Sequence, residues 1–476
     1  MGEVQGVQSA AGAGTLDRMS ARLAIETAAA RLVGSLSRAA GRGGGTTLPG
    51  KLLWKLDPAA VDALAARLAR GVAIVSATNG KTTTSAMAAA VLGERHRLAW
   101  NNSGANLASG VTSTLLAADG AELGLLEVDE FALPEVMRRV RPRAVVLGNL
   151  FRDQLDRYGE LEHVAERWRA AVAALPGATT LAVNADDPLV GALADGRAGA
   201  LRYGVDDPGR ARPALQHAAD SKYCVRCGAP YRYRAAYVGH LGDYACDACG
   251  HARPPLDVAA REIAPEGLEA STFTLVTPAG EARVRLPLPG LYNVYNALAA
   301  TALCLALDAP LEEICRGLEG FRAAFGRFER ITAGDRRILM LLVKNPAGAN
   351  EAVRTLEEGG VPATLVVALN DEIADGRDVS WIWDVDFEPL LAETGRIVVS
   401  GSRAAELALR FTYGGVPAER LEVIPDLRAA LDRGLELVPP GGELAVLPTY
   451  TAMLALRALV TERGLVRPYW EKEATA

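Results

Sequence analysis

Long apolar runs are missing from this 476-residue sequence. None approaches the roughly 18 residues that a spanning helix needs, and the most apolar stretch, Ala297 to Leu307, has the length of a buried helix. A basic surplus is missing too: 51 lysines and arginines stand against 57 acidic residues, a net charge of −6. Bulk attraction to nucleic acid is therefore not what organises the chain. The N-terminus lacks the basic start, apolar block and cleavage site of an export signal, and residues 1–14 read as a disordered leader. Cysteine is scarce, at six residues, and four of them fall between 224 and 249. The other two, Cys304 and Cys315, sit on apolar helical stretches as core thiols. Clustered cysteines without an export signal point to a metal site in a reducing compartment rather than to disulfides. The expectation is a cytoplasmic protein.

What is present is ordinary globular composition, half apolar and 23% charged. Residues 15–40 have helical spacing and Gly41–Gly50 reads as a loop. From residue 51, β-branched runs (Gly71–Thr78, Leu123–Val128, Ala144–Leu147, Thr180–Val183) alternate with helical segments such as Lys81–Leu92 and Leu161–Ala174. Such alternation predicts a largely parallel, doubly wound α/β sheet. A β-rich return (Thr272–Val276, Ala282–Leu286) leads into a helix at Asn293–Leu307, and the Gly334-Asp335 turn marks a boundary. Strands at Ile338–Val343, Ala363–Leu369, Ile397–Ser400, Leu421–Ile424 and Glu443–Leu447 then alternate with helices to form a second, smaller α/β domain. The division read from sequence is thus 1–50, a leader and helix; 51–333, a phosphate-loop ATPase domain; and 334–476, the C-terminal domain.

Thr78-Asn79-Gly80-Lys81-Thr82-Thr83 lies between a strand and a helix, where backbone N–H groups and the helix N-terminus can cradle phosphate oxygens. Lys81 supplies charge to the phosphates and Thr82 a hydroxyl to Mg²⁺. Leu126-Glu127-Val128-Asp129-Glu130 closes the next buried strand but one with three carboxylates. At the C-terminal edge of a parallel sheet beside a phosphate loop, Glu127 suits a Mg²⁺ ligand, although an acidic loop can also simply be solvated. Cys224-x2-Cys227 and Cys246-x2-Cys249, eighteen residues apart, have the spacing of a four-thiolate zinc site. Four thiolates close the coordination shell, so the zinc is structural. Gly228 and Gly250 follow as knuckle glycines, Tyr223, Tyr231, Tyr233 and Tyr237 are expected to pack the module, and His240 and His251 are unnecessary as ligands. Residues 221–254 thus read as an insertion too small to fold alone.

The ordered set resembles the Mur ligase superfamily, which includes folylpolyglutamate synthases. The matching segments are the TNGKTT loop at Thr78–Thr83, Asn101-Asn-Ser-Gly-Ala-Asn106, Leu126–Glu130, Asn149-Leu-Phe-Arg-Asp153-Gln154-Leu-Asp156, Asn184-Ala-Asp-Asp-Pro188, Gly290-Leu-Tyr-Asn293-Val-Tyr-Asn296 and Gly326-Arg327. Two positions depart from the pattern: Ala77 stands for a glycine and Gln154 for a histidine, which leaves metal ligation at that second position open. The resemblance implies ATP and Mg²⁺ as cofactors, adenine contacts from Asn293 and Asn296, and a phosphate contact from Arg327.

Val343-Lys-Asn-Pro-Ala-Gly348 replaces the D-Y-A-H-N-P of ordinary Mur ligases. With Asp375-Gly-Arg-Asp378 and the cysteine insertion, it makes the chain similar, from about residue 20 onward, to the Mur-ligase-like subunits of lipid II isoglutaminyl synthase. That likeness implies amidation of the D-glutamate α-carboxyl of lipid II to D-isoglutamine through an acyl phosphate. The ammonia would come from a GatD-type glutamine amidotransferase subunit in a heterodimer working at the inner face of the membrane. It also implies that Asp378 reaches the partner's histidine to complete a catalytic triad, while Trp381 and Trp383 suit either a subunit interface or the core. No histidine or cysteine of the chain has the setting of a glutaminase nucleophile, in keeping with a borrowed ammonia source. Two other readings remain open: an amino-acid-adding Mur or folylpolyglutamate-type ligase, and a nucleic-acid-binding phosphate-loop protein using the ribbon. The acidic balance weighs against the second.

Overall fold

The computed structural model describes residues 26–32, 47–102, 104–153, 161–216, 219–322 and 328–467. The leader, Ser103, Gln154, Asp156 and Gly326-Arg327 lie outside the described residues. The first sheet gathers β1 (Val72–Ser76), β2 (Leu98–Trp100), β3 (Leu123–Glu127), β4 (Ala144–Leu147), β5 (Thr180–Asn184) and β6 (Leu201–Val205), all parallel. It continues through β9 (Val258–Glu266), parallel to β6, and the antiparallel β10 (Ala270–Thr277) and β11 (Gly280–Leu286). The strand order is β11-β10-β9-β6-β5-β4-β1-β3-β2. Every residue of β1, β3 and β4 is buried, as expected for parallel strands covered on both faces. Alanines make the helix Lys81–Leu92 slim enough to pack closely beside the helix Leu291–Ala306, both lying on this sheet. The latter holds the apolar Ala297–Leu307 stretch, and its Cys304 is fully buried. Cys315, expected in the core, is only half-buried on the amphipathic helix Leu311–Glu319.

The Gly41–Gly50 loop reading needs correction at its end, because the helix Leu48–Leu56 begins inside it with Pro49 in its first turn. Gly50 is required by close helix packing rather than by a loop. A Cβ there would lie 1.9 Å from the Ser109 carbonyl oxygen on the helix Ala108–Leu116.

The second sheet runs β12 (Phe328–Ala333), β13 (Arg336–Leu341), β17 (Glu443–Pro448), β14 (Thr364–Ala368), β15 (Arg396–Ser400) and β16 (Leu421–Val423) in spatial order. Only the β12–β13 pair is antiparallel. The Gly334-Asp335 turn, read from sequence as the boundary, is the two-residue hairpin of that pair, with Gly334 at φ 66°. Phe328–Ala333 therefore pairs within the second sheet. Each sheet carries separate apolar clusters on its two faces.

Between β6 and β9, which are direct neighbours, the chain leaves the sheet as a hairpin of β7 (Arg232–Val238) and β8 (Leu241–Ala245). The insertion thus interrupts no pairing. Tyr231, Tyr233 and Tyr244 pack around its cysteines, whereas Tyr237 belongs to the core of the first sheet and Tyr223 is 64% exposed. Among the described residues no helix is long and apolar enough to cross a membrane.

Candidate nucleotide and metal sites

In the first sheet β1 lies between β4 and β3; its own connection leads toward β2 at one edge, while β4 leads to β5 on the other side. The carboxyl ends of β1 and β4 therefore form a topological switch point, where open α/β sheets place ligands. Thr78 N–H donates to the Asn149 carbonyl (2.8 Å), Asn79 N–H to Asn149 Oδ1 (2.9 Å), and Asn149 Nδ2 to the Asn79 carbonyl (3.1 Å). Asn149 thus clamps the loop to the end of β4. Gly80, at φ 86°, takes a left-handed conformation that favours glycine and starts the helix Lys81–Leu92. A Cβ on it would meet Asn296 Oδ1 at 2.0 Å, so loop and helix Leu291–Ala306 touch directly. Ala77 has no positive φ, and its methyl group faces Gly148. The glycine missing from one strand end is present on the other.

Asn79, Gly80 and Thr83 line a cleft together with Asn293, Asn296 and Tyr292. Its opposite wall comes from the second sheet and includes Phe328, Lys344 and Glu351. The predicted nucleotide residues therefore converge on one cavity, with Thr78 and Thr82 beside them in the loop and Arg327 outside the described residues.

Lys81 Nζ donates to the Ala77 carbonyl, to the Thr78 carbonyl (3.2 Å) and to Glu130 (2.8 Å). Burial alone would lower its pKa, but Glu130, Asp129 and Glu127 outweigh burial and hold it above the ordinary lysine value. Glu130 is pushed up by burial and down further by Lys81 and Lys344, and ends below the usual carboxylate value. Asp129 is raised, first by burial and then by Glu130. Glu127 is 1% exposed; Asn101 brackets its backbone, and Asn106 Nδ2 donates to its Oε1 (3.1 Å). Its Oε2 is buried with no hydrogen-bond partner among the described residues. An orphaned buried carboxylate oxygen is costly unless a cation completes it, so the residues present fit Mg²⁺. Glu127, Asp129, Glu130 and Asp153 stand against Lys81 and Lys344, an excess of acid that suits a divalent ion.

The Asn184–Pro188 match is structural. Asp187 caps the helix Pro188–Gly191 and accepts from Leu150 N–H (2.9 Å), while Asp186 accepts from Val205 N–H, Arg253 and Tyr295. Of the C-terminal acids, Asp375 is buried and caps the start of the helix Tyr450–Glu462 through Thr451. Asp378 is exposed and accepts from Ser380 N–H (2.9 Å); the Ser380 hydroxyl and N–H hold its carboxyl below the usual value. The two tryptophans separate: Trp381 packs on the core of the second sheet, whereas Trp383 is 46% exposed in edge contact with Tyr413.

The four thiolates converge. Their Sγ atoms lie within 4.8 Å of one another, with Cys224–Cys249 at 3.6 Å and Cys227–Cys246 at 3.5 Å. Tetrahedral zinc with bonds of about 2.3 Å sets sulfurs about 3.8 Å apart, so these residues fit the ion. Gly228 and Gly250 both have φ 75° and return N–H bonds to the Cys224 and Cys246 carbonyls (2.8 and 2.9 Å), forming two matching knuckles. His251 stands behind the cluster and bonds Tyr231 (2.8 Å).

Sequence reasoning missed Lys344 and Asn345. Val343–Gly348 was legible as a departure from a motif, but not as a wall of the nucleotide cleft. Asn345 Nδ2 donates to Asn79 Oδ1 (3.0 Å) and Asn79 Nδ2 to Asn345 Oδ1 (3.2 Å), and Lys344 Nζ reaches Asp153 (2.5 Å) and the Thr78 carbonyl (3.3 Å).

A phosphate loop at the switch point of one α/β sheet, walled by the strand ends of a second, is the architecture of a Mur ligase. The Mur ligase middle-domain model matches residues 75–227, and the MurT ligase C-terminal model matches 342–453. The chain is 34% identical over 432 residues to the Streptococcus pneumoniae "lipid II isoglutaminyl synthase (glutamine-hydrolyzing) subunit MurT", covering 89% of this chain and 94% of that one. Its fold is similar to a pseudomurein peptide ligase type C from Methanothermus fervidus (TM-score 0.64, 20% identity, 82% and 78% of the two chains). A similar fold occurs in MurF ligase from Thermotoga maritima in complex with ADP (TM-score 0.60, 14% identity, 85% of each chain). The chain belongs to the MurT family of Mur-type ligases.

Proposed function

We propose that this chain is the ATP-dependent ligase subunit that amidates the D-glutamate α-carboxyl of lipid II at the inner face of the membrane, with ammonia from a GatD-type glutaminase subunit. The observation that carries this reading is the MurT relative matched over 94% of its length, a named subunit of a glutamine-hydrolyzing lipid II isoglutaminyl synthase.

The ATP phosphates rest on Asn79–Thr83, and the base lies toward Asn293 and Asn296. Thr82 and Glu127 would hold Mg²⁺, which supplies charge neutralisation at the transferring phosphoryl group when bound. Lys81 must leave Glu130 in part to reach the phosphates, whose negative charge then takes the place of that carboxylate beside the ammonium. The substrate carboxylate attacks the γ-phosphorus, ADP leaves, and ammonia then displaces phosphate from the acyl phosphate. Lys81 and Arg327 offset the developing charge. Walls from both sheets keep water from the acyl phosphate. Cys224, Cys227, Cys246 and Cys249 would hold a structural Zn²⁺, and the exposed Asp378 orients the partner's histidine. The domain division proposed is a phosphate-loop domain with an inserted ribbon and a C-terminal domain carrying the partner surface.

The test is ADP release by the purified chain with lipid II, ATP and either ammonium or single amino acids. Ammonium-dependent conversion to the amide is expected. Turnover with an amino acid and none with ammonium would replace this reading with an amino-acid-adding ligase.

A further inference from the structure

Two ammonium groups converge on one carbonyl oxygen in the cleft. Lys81 Nζ lies 3.2 Å and Lys344 Nζ 3.3 Å from the Thr78 oxygen, the first from the phosphate loop and the second from the end of the second sheet. Each is held by its own carboxylate, Glu130 for Lys81 (2.8 Å) and Asp153 for Lys344 (2.5 Å). Like charges brought this close repel, and two carboxylates are needed to hold them before any anion arrives.

Lys344 is also fixed in position from its own side. Val343 N–H bonds the Pro448 carbonyl, and Asn345 Oδ1 caps the helix Pro346–Gly359 through Gly348 N–H (2.9 Å). The reciprocal amide pair of Asn345 with Asn79 then ties this corner to the phosphate loop. An ammonium has three protons; Lys344 commits two of them among the described residues, to Asp153 and Thr78. It lines the same cleft as Asn79, Gly80 and Thr83.

We infer that Lys344 is a second catalytic lysine, which contacts the transferred phosphoryl group from the side opposite Lys81. This deepens the proposed ligase reading and rests on it. As the substrate carboxylate oxygen bonds to the γ-phosphorus, the bond to the β–γ bridging oxygen breaks and ADP departs with its electron pair. Lys344 transfers no proton; its third N–H donates to an equatorial phosphoryl oxygen as charge spreads over that group. Because the lysine arrives on the second sheet, the site is complete only when that sheet sits against the loop.

The experiment measures affinity of the full chain, with magnesium, for ADP and for ADP plus aluminium fluoride, a mimic of the transferring phosphoryl group, in wild type, Lys344→Met and Lys344→Arg. The expected result is ADP binding within about threefold of wild type in both variants, about 100-fold weaker ADP–aluminium fluoride binding in Lys344→Met, and partial recovery in Lys344→Arg. Equal weakening for both ligands would show that Lys344 only docks the sheets, and no weakening for either would remove it from the site. Lipid II-dependent ADP release by the wild type is read in parallel. Its absence would overturn the amidation reading, while the mimic still decides the role of Lys344.

Discussion

Gly148→Ala tests how the phosphate loop tolerates Ala77 where the motif pattern has a glycine. A Cβ built on Gly148 lies 2.6 Å from Ala77 Cβ, while its next neighbours, the Ser76 carbonyl oxygen and Tyr203 Oη, are at 3.6 and 3.7 Å. Carbon atoms rest comfortably at about 3.5–4.0 Å, so one contact is short by roughly 1 Å and the others are ordinary. Gly148 has no positive φ, so backbone strain adds nothing. Both residues are next to the clamp in which Asn149 holds Thr78 and Asn79, so relief must come from moving the loop. Overpacking of this kind costs about 1–3 kcal/mol. Ala77→Gly alone removes a buried methyl and costs less than that, and the double variant should return near the Ala77→Gly value. The coupling energy should therefore be about 1–3 kcal/mol, within the range for residues in contact. Urea denaturation by tryptophan fluorescence gives the stabilities, and calorimetry with ADP gives the effect on the loop. A neutral Gly148→Ala, or strictly additive variants, would refute the claim that these two strand ends are complementary.

Asp378→Asn should cut glutamine-driven amidation by the complex at least 100-fold, by analogy with triad carboxylates, and leave ammonium-driven turnover within about twofold; equal loss on both would place Asp378 elsewhere. Cys227→Ser should lower zinc content from one ion per chain and expose residues 221–254 to limited proteolysis, and unchanged metal content would exclude a four-thiolate site. Asp186 predicts a pH effect: burial raises its pKa to about 6 from 3.8, against the pull of Arg253 and Tyr295. The folded state then binds the proton more tightly than the unfolded one, so this group's contribution to stability grows as pH falls from 6 toward 3.8. The stability of wild type relative to Asp186→Asn should rise by about 2 kcal/mol between pH 7 and pH 4.5; a change of the opposite sign would mean the carboxylate is stabilised in the fold.

Much of the fold was legible because its signals are local. The run before Thr78, the Ala-rich segment after Gly80 and the Cys-x2-Cys knuckles each encode their conformation within a few residues, and β1, the helix Lys81–Leu92 and the two glycine turns appear where expected. Gly50 was misread because its meaning lies in a helix about 60 residues later, whose carbonyl a Cβ would strike. Gly334-Asp335 was legible as a turn, but a hairpin turn and a linker use the same residues, and only the pairing partners show that it closes a hairpin of the second sheet. The tyrosines of the insertion were assigned together, yet Tyr237 joins the core of the first sheet while Tyr223, outside the hairpin strands, is exposed; a register shift in β7 between Tyr233 and Ala235 breaks the alternation that would otherwise keep Tyr233 and Tyr237 on one face.

By itself the sequence determined the chemistry available: a phosphate loop, a carboxylate at a strand end and four thiolates at metal spacing. Those follow from residue types at short range, where backbone geometry leaves few choices. Tertiary structure alone decided which distant groups meet. Lys344 lies 266 residues from Thr78, yet reaches the same carbonyl oxygen as Lys81, and the orphaned oxygen of Glu127 becomes visible only once its surroundings are packed. Such convergence depends on how two sheets dock through summed burial and a handful of cross-sheet hydrogen bonds, and no short window of sequence contains that information.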